Sequence, residues 1–165
     1  WLRAEVPGFE RGFLESVASH LGVRETRRVR GRRVMTREDV VGGARFADGV
    51  ARSAYFIDIH DPAGPGGLHA GREGIKEGFK PKRYYEIPFG SLVPAGLSNV
   101  LVACRAISTD HYAHAATRVM ATLTSVGEAA GRAAALAAKR GIDAGAVDGT
   151  EVRRAVGYLD EPLRF

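Results

Sequence analysis

The chain of 165 residues holds a single cysteine, Cys104. One thiol excludes an internal disulfide and a cysteine-built metal site. It also fits a reducing compartment, so a cytoplasmic protein is expected. No long uncharged apolar run occurs. The best candidate, around residues 115–138, is interrupted by Arg118, Glu128 and Arg132 and is not a membrane span. No paired-histidine spacing backs a metal site, and His60 between Asp58 and Asp61 does not supply one. Ser108 and Ser125 lack a Gly-x-Ser-x-Gly setting, which sets acyl transfer aside. There is no internal repeat. Arginine is scattered rather than gathered in a block, so a net charge of +5 suits a small anionic ligand better than nucleic acid.

What is present is the composition of one globular domain with a real core: 45% hydrophobic and 26% charged residues. The 21 glycines favour tight turns and close packing.

Phe9, Phe13, Leu14, Val17, Ala18 and Leu21 recur at helical spacing, which predicts a helix over 9–21 ended by Gly22. A strand is expected near 27–34. Thr36-Arg-Glu-Asp39 reads as a capped helix start, with Gly42-Gly43 as its end. Residues 52–59 alternate as a strand with Tyr55, Ile57 and Ile59 on one face. Three prolines and six glycines make 62–82 a long loop. Tyr84 to Pro88 reads as a short strand, and 89–98 as turns.

The chain is organised around Asn99 to Gly141. A strand over 99–104 is expected first, then a polar loop with Arg105, His111, His114 and Arg118. A long Gly/Ala-rich helix follows, starting between Thr117 and Ser125 and stopping at Gly141. Gly127, Ala130, Gly131, Ala134 and Ala135 share adjoining helix positions. They serve tight packing, close approach of a flat ligand, or both. The helix start offers free N–H groups to an anion. A last short helix is expected from Thr150.

Five motifs in order resemble the C-terminal part of the FAD-dependent oxidoreductase family, of the glutathione-reductase-like flavoprotein fold. They are Gly-Val-Arg-Glu-Thr-Arg-Arg at 22–28, Ile-Asp-Ile-His-Asp at 57–61 and Tyr-Glu-Ile-Pro at 85–88. Asn-Val-Leu-Val-Ala at 99–103 follows, then Thr-Arg-Val-Met at 117–120 with Gly-Glu-Ala-Ala-Gly at 127–131. The resemblance implies an α/β fold (α+β for these residues alone), the C-terminal portion of a two-domain flavoprotein. Residues 1–98 would form a substrate-domain segment. Residues 99–142 would be the return strand and helix of the FAD-binding domain, and 143–165 a tail with a short helix.

The same resemblance implies FAD as cofactor, held by Ala103, Cys104, Arg105, Arg118, Met120, Thr122 and Gly127. His111, which stands where the family carries a histidine, would face a small-molecule substrate, with His60 and Tyr85 beside it. Two departures stand out: Cys104 where the family usually has glycine, and Ala121 where it often has proline. The Gly-x-Gly-x-x-Gly unit that binds a pyrophosphate in this fold does not occur. The missing N-terminal FAD-binding half is therefore an expected partner, and a homo-oligomer is left open.

From the residues alone, Arg24, Arg27 and Arg28 are either carboxylate ligands or a solvated run. Tyr85 is either a donor to substrate or part of the core. The competing reading of the whole is a non-enzymatic interaction module whose Gly/Ala helix packs on a partner chain.

Overall fold

The computed structural model describes residues 1–59, 81–157 and Leu159. Helix α1 is a single turn, Leu2–Glu5, and α2 spans Arg37–Gly42. Two strands, β1 (Gly49–Ser53) and β2 (Tyr85–Pro88), pair antiparallel, and a 3-10 turn at Phe89–Ser91 follows. Helix α3 covers His111–Thr117 and α4 covers Met120–Arg140. A 3-10 turn at Ala144–Ala146 leads to α5, Gly149–Val156.

The ladder pairs Ala51 with Ile87, Arg52 with Glu86 and Ser53 with Tyr85, with an irregularity between Gly49 and Ala51. All four residues of β2 are buried, so this two-stranded sheet is covered on both faces. Helices α4 and α5 pack on β1. Val126, Ala129, Ala133 and Ala137 of α4 and Val152 and Val156 of α5 join Val50, Ile87, Leu92 and Ile107 in one core.

Local chemistry explains the helix boundaries. Thr36 accepts the Asp39 N–H, and the Asp39 carboxylate accepts the Thr36 N–H at 2.9 Å, a reciprocal capping box. Asp110 caps α3 by accepting the Ala113 N–H at 2.7 Å. Its second oxygen accepts the N–H of Arg37, the first residue of α2, at 2.8 Å. One carboxylate thus serves two helix starts. Helix α4 closes on Gly141, whose φ of 65° lies in the left-handed region. Gly149 opens α5 where a Cβ would lie 2.8 Å from the Phe89 Cβ, so only glycine lets α5 approach.

A buried ion cluster fixes α5 to the sheet. Glu86 is 2% exposed and takes Arg153 Nη1 at 2.8 Å and Nη2 at 3.1 Å. Arg52 Nε lies 3.6 Å away, and the Phe46 N–H donates to the same carboxylate. Arg153 also donates to the carbonyls of Gly49 and Leu159.

The expected helix start at Thr36, the strand at 84–88, the Gly141 stop and the terminal helix all form. Other expectations are corrected. Residues 9–21 are not helical, and Phe13, Leu14, Val17 and Leu21 are exposed. Without a surface to bury its apolar side, a short helical pattern has little to hold it. The region 27–34 contains only an isolated bridge, Gly31 with Pro94. The strand expected at 52–59 lies at 49–53, and 54–59 continue without a ladder. Residues 99–104 form no strand among the described residues, so the expected return strand is an extended segment. Its Val102 N–H donates to the Leu92 carbonyl. The polar loop before the long helix contains α3. The chain is a mixed α and β structure, and the expected 62–82 loop lies almost wholly outside the described residues.

Candidate functional site

Of the predicted cofactor residues, Met120 and Thr122 lie in the first turn of α4 and Arg118 stands just before it. Its N-cap is Val119, which offers no side-chain acceptor, so the first N–H groups carry no side-chain cap. Met120 is 86% exposed there. A helix start of this kind carries about half a positive charge.

Two clefts adjoin it, and a third lies further along α4. The first, of about 450 Å³, brings Arg105, Arg118 and Met120 together with Tyr55 and Asp58. Arg118 is held in place: its guanidinium donates to the Asp58 carbonyl at 2.9 Å and lies 3.9 Å from the Asp58 carboxylate. The second cleft, of about 490 Å³, is lined by Cys104, Arg105, His114, Leu123 and the segment Val23–Arg27. Arg24 and Arg105 border both clefts. Cys104 is an exposed free thiol.

The third cleft, of about 550 Å³, runs along α4 and is lined by Ala103, Leu101, Gly127, Gly131, Ala134 and Ala138, among others. A Cβ added at Gly127 or Gly131 would meet nothing within 4 Å. The glycines therefore do not serve packing within the described chain. The buried face of α4 is a different one, carried by Thr122, Val126, Ala129 and Ala133.

Thr122 belongs to that inner face. Its hydroxyl donates to Ser53 Oγ at 2.9 Å, leaving only its backbone for a ligand. Tyr85 is fully buried, and its hydroxyl donates to the Ala116 carbonyl at 3.0 Å. Burial pushes its phenol well above the ordinary range. The core role left open for Tyr85 is the one its surroundings support. His60 lies outside the described residues.

His111 opens α3 directly after the Asp110 cap, and His114 lies in the last turn of that helix. His111 Nδ1 hydrogen-bonds Glu25 Oε2 at 3.1 Å, and His114 Nδ1 lies 3.3 Å from the same oxygen. His114 is buried, and burial lowers its basicity against the opposing pull of Glu25. Glu25 carried no predicted role. Its only sequence signal is its place inside the 22–28 motif, because 86 residues separate it from His111.

Among the described residues no group of three or more His, Cys, Asp or Glu side chains could hold a metal ion. No described helix is long and apolar enough to cross a membrane.

Clefts beside an open helix start suit an organic ligand with anionic character. A family model described as FAD dependent oxidoreductase matches residues 1–156. The chain belongs to that family, and its cofactor is FAD. No curated protein and no solved structure matches it.

The residues present fit such a group. The α4 start has no side-chain cap, and the small-residue groove further along the helix is open. Arg105 has no ion pair among the described residues. Ala103 and Gly127 in the groove, Cys104 and Arg105 in the cleft beside His114, and Arg118 and Met120 at the helix start are those that would hold FAD.

Proposed function

We propose that this chain forms the substrate-facing and helix-donating part of an FAD-dependent oxidoreductase acting on a small organic substrate. The supporting observation is the uncapped, exposed start of α4, flanked by Arg105 and Arg118, with the open Gly127–Gly131 groove further along the same helix.

FAD, when bound, supplies the capacity to accept a hydride. The chain supplies placement and charge. The α4 N–H groups and Arg118 favour negative charge at the helix start. Arg118 is pre-positioned by Asp58 and costs little to orient. His111, with an exposed ring held on one side by Glu25, takes or returns a proton at the substrate. The exposed apolar residues of 13–21 and the open groove favour further cover by the rest of a two-domain flavoprotein, which would carry the pyrophosphate site.

The alternative, a non-enzymatic module docking through the same Gly/Ala face, draws on that groove alone. It gives no reason for the arginines at the helix start.

The test is the visible absorption of the protein carrying this chain, before and after adding FAD. Flavin bands shifted from those of free FAD support the proposal, and Arg118→Ala should weaken the uptake. A protein that stays colourless and takes up no FAD would refute it.

A further inference from the structure

An ionised carboxylate can only accept hydrogen bonds. Glu25 places one oxygen, Oε2, 3.1 Å from Nδ1 of His111 and 3.3 Å from Nδ1 of His114. The His111 imidazole must therefore direct a proton, not a lone pair, at that oxygen, whereas the His114 approach lacks the alignment of a hydrogen bond. The other oxygen, Oε1, is 3.1 Å from Nη1 of Arg28, an ion pair without the alignment of a hydrogen bond. Arg28 holds that oxygen from the side away from the imidazoles. The Asp110 cap fixes the other side of the contact by anchoring the first turn of α3.

The two imidazoles then differ in access. The His114 side chain is 2% exposed and walls the cleft beside Cys104 and Leu123. The His111 side chain is 58% exposed. With Nδ1–H committed to Glu25, the basic nitrogen of neutral His111 is Nε2.

We propose that Glu25 is a positioning residue that holds His111 in the Nδ1–H form, so that Nε2 is the atom that exchanges a proton with substrate. This rests on the oxidoreductase reading for its purpose, and on the Glu25–His111 geometry for its content. Free imidazole favours the opposite form, Nε2–H, so the device reverses an intrinsic preference. It is the logic by which one side chain sets the tautomer of a working histidine.

The test is nitrogen NMR of the protein labelled with ¹⁵N-histidine, at a pH where both rings are neutral. In the wild type, His111 should show Nδ1–H over Nε2–H by roughly tenfold, the scale of a hydrogen bond to a charged group. Glu25→Ala should return His111 to the Nε2–H form. Glu25→Gln, whose amide oxygen still accepts, should retain Nδ1–H. An Nε2–H wild type, or Glu25→Ala with an unchanged spectrum, overturns the proposal. If Glu25→Ala does not fold, the wild-type form alone decides. FAD absorption read on the same samples judges the oxidoreductase reading separately. Failure to take up FAD refutes that reading and leaves the tautomer to stand or fall on its own spectrum.

Discussion

Gly127 and Gly131 sit inside a 21-residue helix, where each costs about 0.8–1 kcal/mol relative to alanine. Nothing in the described chain needs them, since a Cβ at either position meets open space. The double change Gly127→Ala/Gly131→Ala should therefore stabilise the 165-residue chain by about 1.6–2 kcal/mol. For a chain of this size that is a rise in Tm of about 3–8 °C. FAD binding should respond in the opposite sense. Two methyl groups in the groove would cost about 1–3 kcal/mol of overpacking against an occupant, roughly a 5- to 150-fold loss in affinity. Thermal melting without FAD and a fluorescence titration with FAD read the two effects on one sample. A variant that melts higher and binds FAD as tightly as the wild type would show that the cofactor does not use this groove. A variant that melts lower would show that the face is not open.

Arg153→Met takes from the buried Glu86 its bidentate partner, while Arg52 and the Phe46 N–H stay beside it. A loss of about 3 kcal/mol and about 6–12 °C in Tm is expected, and adding Glu86→Met should restore at least half of it. A single variant that melts like the wild type would contradict the burial of that charge. His114 is buried and its basicity is lowered, so the unfolded chain takes up the proton first as the pH falls. Its contribution to stability is present above its ordinary value of 6.5 and is lost as the pH drops below it. Melting between pH 7.5 and 5 should show that fall, and His114→Gln should flatten it. Cys104 should react with a thiol reagent in the native protein without denaturant, and bound FAD should slow the reaction. Equal rates with and without FAD would remove Cys104 from the cofactor's surroundings.

The readable parts of the sequence were those whose cause is local. The Thr36–Asp39 box, the Gly141 stop and the buried run at Tyr85 each act within a few residues, and each forms. Residues 9–21 and 99–104 carry the right spacing for a helix and a strand, but spacing needs a surface or a neighbouring strand to act upon. Among the described residues, 9–21 have no surface to bury against, and 99–104 have no neighbouring strand. Helix α3 escaped notice because His-Tyr-Ala-His has no apolar period, whereas Asp110 with its acceptor three residues before Ala113 was a local signal that could have found it. At the site, Arg105, Arg118 and Met120 line one cleft. Thr122 and Tyr85 face inward, because strand and helix alternation assigns a side to the core without saying which. Glu25 was beyond reach, since its partners are set by tertiary contact.

The double cap at Asp110 has a dynamic consequence. Opening α3 frees one oxygen of that carboxylate and releases its hold on α2, and fraying of α2 loosens α3 in turn. Amide protons of residues 37–43 and 111–118 should therefore exchange with solvent as one cooperative unit, at a common free energy of opening. Asp110→Asn would split that unit in two, and His111 would then ride on a segment with its own rate of opening.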